Sequence, residues 1–216
     1  MPNRSEMERR SYTFDITREQ RAEGGSTLAG RAIVYGSETD IGGWFREIID
    51  PGALDGADMR DVPLLVNHND RMIPVARSRN NTPNSTLRLK PNEFGLDFEA
   101  DLDIERNMTA RELDSAAERK DIDGCSFRFS VKEERWEDLE TDYPTRHIMK
   151  FDRIGEISAV TWPAYDATYI DVRSKEALES ARSALESARQ QASGPLESDH
   201  ELELLKEKTK ILTGGF

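Results

Sequence analysis

The chain has 216 residues and a net charge of −12, from 42 Asp and Glu against 30 Lys and Arg. An acidic surface repels phosphate backbones and anionic headgroups, which argues against general nucleic-acid binding and against attraction to membrane surfaces. With 36% apolar and 33% charged residues, one good-sized core with solvated segments beside it is expected.

The single cysteine, Cys125, excludes an intrachain disulfide and any Cys-based zinc finger. No apolar run is long enough to span a bilayer. Arg4, Arg9 and Arg10 lead into a strand pattern rather than the apolar segment of a signal peptide. The expectation is a cytosolic protein.

In chain order, residues 1–10 are polar. Ser11 to Ile16 alternates weakly, as an edge strand does, and Leu28 to Tyr35 is a stronger strand. Trp44 to Ile49 is a short strand, and Asp50-Pro51 signals a short helix to about Asp55, with Asp50 as its N-cap. Val62 to His68 is a compact apolar strand running into Asn67-His68-Asn69-Asp70. Ser85 to Lys90 and Gly95 to Leu102 alternate cleanly and form a hairpin. Asn107 to Lys120 is helical, with a capping box at Thr109 and Glu112.

The central stretch is Ile122 to Val131. Period two puts Cys125, Phe127, Phe129 and Val131 on one face and Ser126, Arg128 and Ser130 on the other. A second hairpin follows, from Ser130 to Glu134 and from Thr145 to Phe151. Ile154 to Thr161 is the last strand, closed by Trp162-Pro163-Ala164. Many short antiparallel strands with few helices define an α+β, mainly β class: an antiparallel β-barrel with a few surrounding helices.

Beyond Asp171 the pattern changes. Ala177 to Ser183 is repeated almost unchanged as Ala184 to Gln190, with Leu178, Ala181, Leu185, Ala188 and Ala192 on one heptad seam. Two heptads are marginal alone, so this helix must dock or self-associate. Leu202 to Leu212 is a second helical stretch. Three regions result: an N-terminal arm over 1–27, a main domain over 28–172 and a helical tail over 173–216.

Among the polar residues, Ser126 is the first outward side chain after the Asp123-Gly124 turn, fixed in direction by its phenylalanine neighbours. A nucleophile needs that placement, although a half-buried strand with serines facing water has the same pattern. His68 ends an apolar strand on the face of Leu64 and Val66, rigid yet reachable, as suits a general base, a metal ligand or a structural role. His147 reads as a packed cross-strand residue and His200 as surface. Glu156 is a carboxylate inside the apolar run Ile154 to Val160, where an unpaired charge is costly. It is the candidate to orient His68, with Asp152 as competitor and an edge-strand charge as the plain alternative. Cys125 points with the phenylalanines toward the core, a poor position for a nucleophile.

The ordered set Gly30-Arg-Ala-Ile-Val-Tyr35, Glu47-x-x-x-Pro-Gly-Ala53, Leu64-Leu-Val-Asn-His-Asn69, Gly95-Leu96, Gly124-x-Ser-Phe-x-Phe129 and Glu156-Ile-Ser-x-Val-x-x-Pro-Ala164 resembles the prohead maturation serine proteases of tailed bacteriophages. That family is similar in fold to the herpesvirus assemblins. The resemblance implies Ser126 as nucleophile, His68 as general base and an acidic third member, placed at Glu156. It implies no metal or cofactor. Its implied partners are the major capsid protein with its scaffold segment and the protease's own tail. The implied location is the assembling procapsid in the host bacterial cytoplasm. One departure stands out: the family reads Ser-Phe-Gly-Phe, and here Arg128 occupies the glycine position. Arg128 is expected to pair with a neighbouring carboxylate rather than to support an oxyanion or an acidic substrate.

Two other readings compete. A non-enzymatic assembly factor could bind capsid protein through the domain and heptad tail, and a metal-dependent hydrolase could use His68 with Asp70.

Overall fold

Strict alternation in Gly95 to Leu102 produces β9 (Gly95–Leu102), whose Leu96, Phe98, Ala100 and Leu102 are buried. The structure, a computed structural model, describes residues 7–13, 16–21, 25–161 and 175–192. β9 pairs antiparallel with β8 (Leu87–Asn92) and with β3 (Gly25–Val34), and β2 (Thr17–Arg21) flanks β3. The β8–β9 turn requires Gly95: its φ is +144°, and a Cβ there would lie 1.9 Å from the Ile33 carbonyl oxygen.

The second sheet is built on two long antiparallel strands, β10 (Gly124–Glu137) and β11 (Thr145–Val160). The sequence suggested separate shorter strands here; several register shifts along the pair let each bend while staying continuous. The first part of β11 pairs in parallel with β5 (Phe45–Ile49), and its last part pairs in parallel with β6 (Asp61–Val66). β4 (Glu38–Ile41) flanks β5, and β7 (Ala76–Arg79) flanks β6. β1 (Glu8–Thr13) covers the outer edge of β10 as an edge strand, a little earlier than the Ser11 to Ile16 pattern suggested.

The core gathers the inward faces of both sheets, including Leu28, Ile33, Leu64 and Phe98. At its centre Phe127, Phe129 and Phe151 pack with ring centroids 5.0–6.1 Å apart. Fully burying each such ring contributes about 1.5–3 kcal/mol.

Mainly β is therefore observed, with two helices among the described residues. A closed barrel is not: among the described residues no backbone ladder joins the sheets. At the seam between β7 and β8, side chains stand in for the ladder. The Arg77 amide donates to Thr86 Oγ1 (2.9 Å), and the Asn81 side chain bonds both the amide and the carbonyl of Leu89.

The expected helix at Pro51 is instead a series of turns, Ala53 to Asp50, Asp55 to Gly52 and Ala57 to Leu54. Gly52 and Gly56, at φ +82° and +79°, break any continuing helix. Helix α1 (Met108–Glu118) forms as expected, but its N-cap is Asn107, whose side chain accepts from the Ala110 amide (3.2 Å), rather than Thr109. Helix α2 (Lys175–Ala192) docks on its own domain: Ala181 and Leu185 are buried with Ile41 and Phe45, beside Trp44, Trp136 and Leu139. Arg189 fixes its end by donating to the Leu139 and Thr141 carbonyls. The stretch Leu202 to Leu212, His200 and Trp162 to Ala164 lie outside the described residues.

A Gly95→Ala variant should lose at least about 2 kcal/mol of stability in a denaturant titration, since the backbone must move to admit the methyl group.

Candidate active site

The apolar run Val62 to Val66 forms β6, and the strand ends there rather than at His68. Asn67 and His68 take the left-handed conformation, φ 50° and 57°, which costs roughly 1–2 kcal/mol per residue. Asn67 holds the turn against the end of β11: its amide donates to the Ala159 carbonyl (2.9 Å) and its Oδ1 accepts from the Thr161 amide (3.0 Å). Alternation therefore does not set the direction of His68; this anchored turn does. It brings Nδ1 of His68 into direct contact with Oε1 of Glu156.

Glu156 sits on β11 with its side chain only 2% exposed, against 16% for His68. Burial pushes its carboxyl up, but the hydrogen bond and charge of His68, with Arg128 and Arg9, outweigh burial and hold it below the ordinary value. Arg128 is the cross-strand partner of Glu156, with Nε 3.8 Å from Oε1, and its Nη1 lies 3.9 Å from Asp70. The expected pairing of Arg128 with neighbouring carboxylates is thus observed. Oε2 of Glu156 has no hydrogen-bond partner among the described residues.

Ser126 lies on the same face of β10 as Arg128, while Cys125, Phe127 and Phe129 enter the core. It is 0% exposed, and its Oγ donates to the Arg10 carbonyl at 2.8 Å. Among the described residues no hydrogen bond joins Ser126 to His68. Across the sheet, Ser126 faces Ser158 on β11, whose Oγ lies 3.4 Å from Oε1 of Glu156. Ser126 and Glu156 are therefore diagonal cross-strand neighbours, a separation of roughly 7–8 Å that an imidazole can bridge. Sequence reading passed over Ser158 and Asn67. The signals were present: Ser158 is two residues from Glu156 on the same strand face, and Asn67 directly precedes His68.

The other candidates lie elsewhere. Asp152 accepts from Ser130 Oγ (3.1 Å). His147 is a cross-strand residue whose Nδ1 pairs with Asp50 at 2.8 Å. Burial pushes the Cys125 thiol up to about 12, so it carries little thiolate.

The segment over Ser126 is held by a buried charge network. Arg10 of β1 donates through Nε and Nη2 to both oxygens of Glu47 on β5 (2.5 and 2.6 Å), a two-pronged pairing, and Nη2 also reaches Glu8 at 2.8 Å. Arg146 of β11 donates to both oxygens of Glu8 (2.7 and 2.8 Å), to Glu47 at 3.0 Å and to Glu134 at 2.9 Å. Burial alone would raise the Glu8 carboxyl; the charges and hydrogen bonds of Arg10 and Arg146 hold it at about 2. Glu47 belongs to the sequence pattern quoted above, but nothing in the pattern showed that its partners come from the N-terminal strand.

Comparison with known families places the chain among the serine peptidases. The matching family is the caudovirus prohead serine proteases, and the match runs over residues 13–183. The chain belongs to this family, the capsid-maturation proteases that act within the assembling procapsid of tailed phages, and that role implies interaction with the capsid proteins. No curated protein and no solved structure matches it.

Because the Glu8 carboxyl falls from its ordinary 4.5 to about 2 on folding, the stability it contributes is present above pH 4.5 and is lost as pH drops toward 2. Acid titration followed by tryptophan fluorescence should show this loss in the wild type. Glu8→Gln should flatten that limb and be less stable than wild type at pH 7.

Proposed function

We propose that the chain is a serine endopeptidase in which Ser126 is the nucleophile, His68 the general base and Glu156 the carboxylate that orients and charge-stabilises the imidazole. The observation carrying this reading is the contact between His68 Nδ1 and the buried, ionised Glu156, which leaves Nε2 as the ring atom for a hydroxyl.

In the reaction, Nε2 takes the proton from Ser126 Oγ as Oγ bonds to the scissile carbonyl carbon. The tetrahedral intermediate then collapses, His68 gives the proton to the leaving amine, and an acyl-enzyme remains. Water attacks the ester with His68 again as base, releasing the acid and restoring the serine. Glu156 keeps its charge throughout, and Arg128 and Ser158 hold its position.

The substrates on this reading are scaffold segments of the capsid protein and the protease's own tail, cut inside the procapsid in the host cytoplasm. Residues 28–172 form the protease domain, with an assemblin-like arrangement, and the tail over 173–216 serves as propeptide or built-in scaffold. The implied partners require no cofactor.

Mass spectrometry of capsid protein incubated with the wild type should reveal discrete fragments that are missing with Ser126→Ala. Identical uncleaved spectra, with assembly still promoted, would leave a scaffolding role instead. Glu156→Gln should lower the cleavage rate by about 10²–10⁴-fold while the fold stays intact.

A further inference from the structure

A nucleophile that is 0% exposed cannot reach a substrate, so this conformation is not the reacting one. β1 is the element bonded to the nucleophile itself. It runs antiparallel to β10 with Ser11 opposite Ser126, and the carbonyl of Arg10 accepts the Ser126 hydroxyl proton. A main-chain peptide group of the chain's own N-terminal strand thus lies where a substrate's carbonyl would have to be presented.

We propose that β1 is an exchangeable strand occupying the substrate-binding edge of β10, and that an extended segment of the capsid protein replaces it, pairing antiparallel to β10 in its place. This rests on the reading of Ser126 as the nucleophile.

Three observations support it. First, vacating the edge outright would strand the amides and carbonyls of β10, so β1 is best displaced by another strand that offers the same ladder. Second, the fastening is local and separable. Without β1, Arg146 keeps its bonds to Glu47 and Glu134, so each of these carboxylates retains one contact. It then holds two carboxylates against one guanidinium and favours an incoming strand with a basic side chain where Arg10 now sits. Third, β1 is an edge strand that is also braced from outside: α2 packs against it, and the preceding Met7 rests on Gly155, where a Cβ would come within 2.6 Å of its terminal methyl. Loss of the tail would therefore loosen β1, linking trimming of the tail to opening of the site.

The register supplies a test. Tyr12 is the cross-strand partner of Cys125, the chain's single cysteine, so Tyr12→Cys allows one defined disulfide pinning β1 to β10. The readout is the rate at which a fluorophosphonate labels Ser126 in the full-length chain, with thermal melts confirming that each form is folded. Oxidised Tyr12→Cys should lose labelling and recover it on reduction. Glu47→Gln, which weakens the hold on Arg10 and keeps Ser126 and His68 intact, should label faster than the wild type. Equal rates for wild type, Glu47→Gln and cross-linked protein would overturn the strand-exchange proposal and leave Ser126 as the nucleophile. If Ser126 takes no label in any form while cleavage persists, the serine assignment fails and the proposal falls with it.

Discussion

The site depends on keeping one carboxylate charged inside a sheet. Glu156 is almost wholly buried, and a buried anion without partners would take up a proton. His68 touches it, Arg128 faces it across the ladder, and Arg9 adds a favourable field. Each partner needs a specific backbone: β6 must run parallel to β11 to deliver His68, and β10 must pair in register for Arg128 to lie opposite. That explains why an arginine at the position where the family reads glycine is accommodated here. It strengthens the negative charge of Glu156 rather than competing for the imidazole.

The second buried charge cluster does a different task. Arg10, Arg146, Glu8, Glu47 and Glu134 join the N-terminal strand to β5, β10 and β11 at the end of the core. Removing one partner of such a network leaves an uncompensated charge, a loss of about 3–5 kcal/mol. Because β1 also accepts the Ser126 hydroxyl, the stability of that strand and access to Ser126 are physically coupled. Docking of α2 on the neighbouring surface extends the coupling to the tail. Two residues of the heptad seam, Ala181 and Leu185, are buried within the same chain.

Much of this was legible in the sequence because period-two alternation reports directly on sheet faces. It placed Cys125 and the phenylalanines of β10 on the core face and Ser126 with Arg128 on the opposite one, and it marked Glu156 as anomalous in an apolar run. But it read that opposite face as outward, when Ser126 and Arg128 are buried there too. It failed where direction is set by turns. His68 follows the end of its strand, and its aim comes from two left-handed residues pinned by Asn67. Local capping rules misjudged Pro51 because Gly52 and Gly56 impose turns, and placed the N-cap of α1 two residues late because Asn107, not Thr109, is the acceptor. Barrel closure was illegible for another reason: at the β7–β8 seam side chains bond to backbone and replace a ladder, and hydrophobic patterning carries no record of that choice. Nor does pattern reveal long-range partners, so the pairing of Arg10 with Glu47, 37 residues apart, emerges only in the fold.

The central claim is that His68 and Glu156 act as one unit on Ser126. A double-mutant cycle on capsid-protein cleavage tests it directly, using His68→Ala, Glu156→Gln and the two combined, each checked for an unchanged melting profile. If the carboxylate works only through the imidazole, the combined variant will be no slower than His68→Ala alone. Additive losses, with Glu156→Gln slowing a chain that already lacks His68, would contradict the account.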